Sequence, residues 1–293
     1  MGMKKYPICN LIHHFNSFLK LGPFNIEVAL FMPYRIVIHN FFTELEMEWI
    51  KNYSAPSLSS IRDDNFSFKN TTNDDKLNKT VTIVGKAVQT WFNDLSYIEE
   101  PEYFEIMTET GAMMIGQRQI IDLYSYHVKH DVLLRISRRI EYATHMNITS
   151  RWGATHYQVT NYGLSGMVQS HIDPYGYESG IPLRHDNYPL ISSGDIIATF
   201  MGWINNVQAG GATGFTFDNY ESTIKPMEGS AAFWMNLDAS HRKDPRSIHG
   251  GCPVLKGTKW ILNKWVYSFD QWNNFPCSTK EYAYISFFTG IYP

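Results

Sequence analysis

A histidine and a carboxylate two residues apart, His171-Ile172-Asp173, are the residues of this chain best suited to hold a metal ion. Side chains two apart on a strand point to the same face, so both could touch one ion. Two histidines and one carboxylate would grip Fe(II) from one side and leave coordination positions open for substrate and oxygen. The third ligand must come from a distant strand, and His241 and His249 both lie downstream. His249 stands just before Gly250-Gly251-Cys252-Pro253, a turn that feeds the last strong strand. His-X-Asp is a common triplet and needs support from elsewhere.

The run 259–267 supplies some. Lys259, Ile261, Asn263, Trp265 and Tyr267 share one face, and Trp260, Leu262, Lys264 and Val266 the other, so one lysine falls on each. A lysine facing a core is costly unless it meets an anion, and a small dicarboxylate ligand would supply one.

Elements to position these groups are legible on both sides. Thr43-Glu44-Leu45-Glu46 has the capping-box pattern and leads into Met47, Trp49 and Ile50, which predicts a helix over 43–53. In the 130s Asp131 can cap a second helix, with Leu133, Ile136, Ile140 and Ala143 at helical spacing. From residue 154 the character changes. Aromatic and β-branched runs at 157–162, 196–205, 213–217, 222–227, 231–237 and 259–267 are separated by Gly, Pro, Asn and Asp, the rhythm of an all-β sandwich or jelly roll. The expectation is a mainly β fold with supporting helices in one domain.

Composition sets outer limits. The 293 residues carry 25 Lys plus Arg against 28 Asp plus Glu, a formal charge of −3, with no basic excess for a phosphate backbone. Nucleic acid is excluded as the expected partner. No run reaches the about 18 apolar residues that cross a membrane. Residues 1–24 read as a leader or extension, although His13, His14, Asn16 and Ser17 break the apolar stretch a signal peptide needs. Asn-X-Ser/Thr acceptors stand at Asn52, Asn65, Asn70, Asn78 and Asn147. Cys9, Cys252 and Cys277 are too few for a disulfide scaffold and lack the paired spacing of a zinc site.

Longer stretches carry a more specific signal. They are Tyr157-Gln158-Val159-Thr160-Asn161-Tyr162-Gly163, His171-Ile172-Asp173, Ala209-Gly210-Gly211-Ala212-Thr213 and Gly229-Ser230-Ala231-Ala232-Phe233-Trp234-Met235-Asn236-Leu237. His249-Gly250-Gly251-Cys252-Pro253-Val254-Leu255, Gly257-Thr258-Lys259-Trp260 and Asn263-Lys264-Trp265 follow. In this order over 157–277 they closely resemble the catalytic domain of the collagen-type prolyl 4-hydroxylase α subunits. That family comprises Fe(II)- and 2-oxoglutarate-dependent dioxygenases built on a double-stranded β-helix, a jelly-roll variant.

The resemblance implies the rest. His171, Asp173 and His249 match the iron ligands, and Lys259 matches the lysine that pairs with the distal carboxylate of 2-oxoglutarate. Tyr162 and Thr213 match positions that help hold that cosubstrate, and Trp265 an aromatic lining the active site. Cys252 and Cys277 match two cysteines joined in a disulfide, which implies an oxidising compartment such as the endoplasmic reticulum lumen. The implied reaction hydroxylates C4 of peptidyl proline in a collagen-like or other Pro-rich polypeptide. It consumes O₂, converts 2-oxoglutarate to succinate and CO₂, and uses ascorbate as reductant. Residues 25–293 would form one dioxygenase domain, with a helical support region at 25–153, the β-helix core at 154–277 and a tail at 278–293. The chain is much shorter than the family's full α subunits, which leaves open its peptide choice and any assembly with protein disulfide isomerase. A dioxygenase with another acceptor and a non-catalytic Pro-rich-peptide binder are the alternatives. Lys259 with Thr213 weighs against the binder, which has no need of a cosubstrate anchor.

Overall fold

The computed structural model describes residues 8–12, 22–55, 58–60, 66–67, 80–81, 83–84, 87–92, 131–150, 153–174, 194–217 and 220–279. The segment 94–127, the run 175–187, the acceptors at Asn65, Asn70 and Asn78 and the tail from 280 onward lie outside the described residues.

The first elements are β1 (Ile8–Ile12), β2 (Phe24–Leu30), β3 (Arg35–His39) and helix α1 (Glu44–Ser54). Short strands β4 (Ser59–Ser60), β5 (Phe66–Ser67), β6 (Thr80–Val81) and β7 (Ile83–Val84) precede β8 (Ala87–Phe92) and helix α2 (Asp131–Thr144). Then come β9 (Tyr157–Tyr162), β10 (Met167–His171), β11 (Ile196–Trp203), β12 (Ala209–Gly210), β13 (Thr213–Phe217) and β14 (Tyr220–Ile224). The last are β15 (Ala231–Met235), β16 (His249–Gly251), β17 (Val254–Lys256) and β18 (Lys259–Tyr267).

Eight of these strands are shared equally between two antiparallel sheets, the chain crossing from one to the other at every step but the β13–β14 hairpin. β9, β11, β15 and β18 lie in a nine-stranded sheet of order β1-β2-β3-β15-β11-β18-β9-β8-β4. β10, β13, β14 and β16 lie in a five-stranded sheet of order β14-β13-β16-β10-β7. This crossing pattern is the expected double-stranded β-helix. Its interior is a cluster drawn from both sheets, in which Met201, Trp203, Trp234 and Ile261 of the large sheet meet Phe215 and Ile224 of the small one.

The large sheet is buried on both faces, which explains why every residue of β11 is buried. Its outer face packs Phe200, Phe233, Leu262 and Val266 against the two helices. α1 is capped as expected, Thr43 Oγ1 accepting from the Glu46 N–H and Glu46 Oε2 accepting from the Thr43 N–H. Leu133, Ile136, Ile140 and Ala143 of α2 are buried against the sheet, as their spacing predicts. Arg139 joins the helices with hydrogen bonds to both Glu46 oxygens at 2.9 and 2.8 Å and a third to the Phe41 carbonyl. We expect Arg139→Met to cost about 2–4 kcal/mol, because it strands a buried carboxylate that also caps α1. Chemical denaturation checks this, and loss should lessen as pH falls and Glu46 takes up a proton.

Three expectations are corrected here. The region 25–153 is not only helical support, because β2 and β3 extend the large sheet through β15, and β8 extends it through β9. Alternation is the reason, Ile26 and Val28 of β2 and Ile36 and Ile38 of β3 sharing the face buried toward the helices. Residues 8–12, inside the expected leader or extension, are not separate from the fold but form a strand paired with β2. Three core strands are also shorter or shifted, ending at Trp203, Ile224 and Met235, where turns such as the one at Gly229 take over.

Candidate functional site

The last residue of β10, His171, is the register partner of the first residue of β16, His249. The pairing sets their rings 4.5 Å apart between centroids. Asp173 follows β10 by two residues and turns its Oδ1 between them, 3.3 Å from His171 Nε2 and 3.8 Å from His249 Nε2. One ligand atom from each of the three lies within 4.8 Å of the others. Sequence left His241 and His249 open, and the fold decides for His249. His241 sits instead in a left-handed turn with its Nε2 3.0 Å from the Phe275 carbonyl.

The backbone orients both rings. His171 Nδ1 lies 2.8 Å from the Gln169 carbonyl and His249 Nδ1 lies 2.9 Å from the Ser247 carbonyl. A carbonyl only accepts, so Nδ1 carries the proton in each ring and Nε2 presents its lone pair toward Asp173. Burial drives the His249 pKa down to about 4, helped by the His171 and Arg35 charges and opposed by Asp173. At neutral pH the ring is therefore the uncharged ligand a metal requires. Burial alone would raise the Asp173 pKa, but the two histidines and the Thr199 hydroxyl outweigh it and hold the carboxyl far below its ordinary range. Phe215 and Trp234 wall the His249 ring.

Behind this cluster Thr199 Oγ1 donates to Asp173 Oδ2 at 2.5 Å, and Asn236 Nδ2 donates to Thr199 Oγ1 at 2.7 Å. Sequence reading missed both residues. Their signal was a polar side chain inside an otherwise apolar run, Thr199 in 196–203 and Asn236 in 231–237.

Further into the barrel, Lys259 is 3% exposed. It pairs in register with Tyr162 of β9, its Nζ 5.7 Å from that ring centroid. Among the described residues no carboxylate pairs with it. Burial lowers its pKa from 10.5 to about 8 although Cys252 opposes the shift, and burial raises Tyr162 to about 12. Thr213 is buried and reaches Met201 Sδ at 3.8 Å on the same interior face. Gly210 and Gly211 both have positive φ, and a Cβ on Gly211 would meet Val207 at 3.2 Å and the Lys259 stem at 3.4 Å. Strand parity thus placed Lys259 correctly. The outward Lys264 is buried as well, with Nζ donating to the Thr155 carbonyl at 2.7 Å and lying 4.2 Å from the Tyr157 ring centroid. Trp265 is half-buried and stands in register opposite Thr199, the residue that holds Asp173.

The expected disulfide is corrected. Cys252 and Cys277 are both free thiols. Cys252 is half-buried near Gly214 and close enough to Lys259 to affect its charge, with its N–H bonded to the Ala212 carbonyl. Cys277 is exposed beyond the β-helix, where the neighbouring Ser278 N–H bonds to the Ala239 carbonyl. The acceptor Asn147 is also engaged, its Nδ2 donating to the Asp270 carbonyl at 2.7 Å, whereas Asn52 is exposed on α1.

Residues 157–267 match the family described as the 2OG-Fe(II) oxygenase superfamily. The chain is 36% identical to the mouse prolyl 4-hydroxylase subunit alpha-3 over 149 residues, 51% of this chain and 26% of that protein. It is 27% identical to the human subunit alpha-3 over 272 residues, 93% of this chain and 40% of that protein. A viral collagen prolyl hydroxylase from Paramecium Bursaria Chlorella virus-1 superimposes with a TM-score of 0.44 at 17% identity, over 80% of this chain and 95% of that one. The chain spans from 26% to 40% of the length of these two curated relatives.

Proposed function

We propose, from residues 157–267 forming a 2OG-Fe(II) oxygenase core, that this chain is an Fe(II)- and 2-oxoglutarate-dependent dioxygenase that hydroxylates peptidyl proline to 4-hydroxyproline. One observation carries the reading. A half-buried His-Asp-His cluster with converging Nε2 atoms shares its barrel with a buried ammonium that has no carboxylate partner among the described residues. The first half fits Fe(II) and the second fits a dicarboxylate.

Each residue then has a task. His171, Asp173 and His249 would hold the iron, three protein ligands being few enough for 2-oxoglutarate and O₂ to bind as well. Lys259 takes the distal carboxylate of 2-oxoglutarate, with Tyr162 and Thr213 beside it. Bound there, iron with 2-oxoglutarate and O₂ supplies an oxidant that replaces C–H by C–OH, one oxygen atom entering the product and the other entering succinate. Phe215, Trp234 and the buried wall around them exclude water from that chemistry. Trp265 offers an apolar face to a proline ring. Similarity to prolyl 4-hydroxylase α subunits supports the prolyl acceptor, and with that reading we propose ascorbate as reductant, residence in the endoplasmic reticulum lumen and pairing with protein disulfide isomerase.

The test is succinate release by the purified chain given Fe(II), 2-oxoglutarate and ascorbate, with and without a Pro-Pro-Gly repeat peptide. Peptide-dependent succinate with oxygen added at proline is expected. Succinate without peptide oxidation would move the search to another acceptor, and none from folded, iron-loaded protein would overturn the enzyme reading.

The anchor also makes cosubstrate binding depend on pH. In the free protein Lys259 loses its proton near pH 8, while a bound carboxylate stabilises the charged form and raises that value. Affinity for 2-oxoglutarate should be flat from about pH 6.5 to 7.5, then weaken by up to about tenfold per pH unit above 8. Calorimetric titration across this range measures it, and an affinity that rises or stays level above pH 8 would count against Lys259 as the anchor.

A further inference from the structure

We infer that Asn236 is a positioning residue for iron, acting through Thr199 to commit one oxygen of Asp173 to the metal. This rests on the metal reading of the His171, Asp173 and His249 cluster. The amide Nδ2 of Asn236 is a donor only, so Thr199 Oγ1 must accept from it. The single hydroxyl proton of Thr199 is then directed to Asp173 Oδ2, whose short contact suits a charge-assisted bond. Oδ2 is occupied from behind, and Oδ1, the oxygen that sits between the two histidine Nε2 atoms, is the one left for the ion. A carboxylate free to swing could offer both oxygens and use a second coordination position, one that 2-oxoglutarate or O₂ needs.

Asn236 is well placed for the task. It is completely buried, and its backbone is fixed at both ends, the N–H bonding to the Ile197 carbonyl and the C=O accepting from the Asp244 N–H. That same carbonyl is 3.4 Å from the Ser247 hydroxyl, and the Ser247 carbonyl accepts the Nδ1 proton of His249. The supports of two ligands, Asp173 through the side chain and His249 through the main chain, therefore meet at one residue. Rotating the amide would face its oxygen to Thr199 and draw the hydroxyl proton away from Asp173. The orientation seen leaves Asn236 Oδ1 without a hydrogen-bond partner, so the donor to Thr199 is kept at the expense of the acceptor.

Anaerobic Fe(II) titration of the whole chain, with folding followed by circular dichroism, tests the inference without turnover. Asn236→Leu and Thr199→Val should each weaken Fe(II) binding by about 10–100-fold, while Thr199→Ser, which keeps the hydroxyl, should stay within about twofold of the parent. Because the two act in series, the double variant should lose no more than the weaker single variant. Where Asn236→Leu does not fold, Asn236→Ala takes its place. An Asn236 variant that binds Fe(II) like the parent overturns the inference, and so do losses that multiply in the double variant. If the parent itself takes up no Fe(II), the metal reading falls instead, which separates the two failures.

Discussion

Replacing Lys259 by methionine should abolish measurable 2-oxoglutarate binding, a loss of at least about 100-fold, while changing Fe(II) affinity by no more than a few-fold. The first part follows from removing a charge-assisted contact in a buried site, where leaving an anion unpaired costs several kcal/mol. The second follows from position, because Lys259 pairs with Tyr162 of β9 in the large sheet, whereas His171 and His249 stand on β10 and β16 of the small one. The same substitution should raise the stability of the ligand-free protein. A lysine whose pKa falls from 10.5 to about 8 on folding binds fewer protons in the folded state between those values. Its contribution to stability therefore rises with pH in that window and is most unfavourable below it, by up to about 3 kcal/mol at neutral pH. Thermal unfolding at pH 7 should show Lys259→Met melting above the parent, and above Lys259→Ala, which leaves a cavity. A variant that loses iron and cosubstrate together would show that Lys259 supports the fold or the metal and not the cosubstrate.

Asp173→Asn should lower Fe(II) affinity by at least about 100-fold and eliminate turnover in a protein that remains folded. The amide is nearly isosteric, but it removes the one negative charge in the cluster, and the protein ligands left are two neutral rings. Changes around a ligand already cost about 10–100-fold, so loss of the charged ligand itself sets a larger minimum. The Thr199 hydroxyl can still donate to the new carbonyl oxygen, so little of the local structure depends on the charge. Metal titration and unfolding on the same sample separate the two quantities. Near-parental iron binding by Asp173→Asn would remove this residue from the ligand set.

Local rules made part of this architecture readable. The capping box at Thr43 and Glu46 and the helical spacing of Leu133, Ile136 and Ile140 depend on residues a few positions apart, and they appear as expected. Strand parity in 259–267 placed Lys259 in the interior because a strand buried on both faces still keeps its alternation. What failed depends on partners far along the chain. His249-Gly250-Gly251 has no strand propensity, yet it is a strand because β10 and β13 flank it and fill its hydrogen bonds. Lys264, on the opposite face of the strand from Lys259, is buried too, where a backbone carbonyl and the Tyr157 ring satisfy it. Thr199 and Asn236 carried no motif of their own, and only the crossing of β11 and β15 behind Asp173 gives them a role. The pairing of Cys252 with Cys277 came from resemblance alone, and both stand as free thiols.

The most direct measurement of the central claim is isotope incorporation from ¹⁸O₂ by the purified, Fe(II)-loaded chain with 2-oxoglutarate and a Pro-Pro-Gly repeat peptide. The expected result is one heavy oxygen in each hydroxyproline formed, one in each succinate, and equal amounts of the two products. Unlabelled peptide and unlabelled succinate from folded, iron-loaded protein would contradict it.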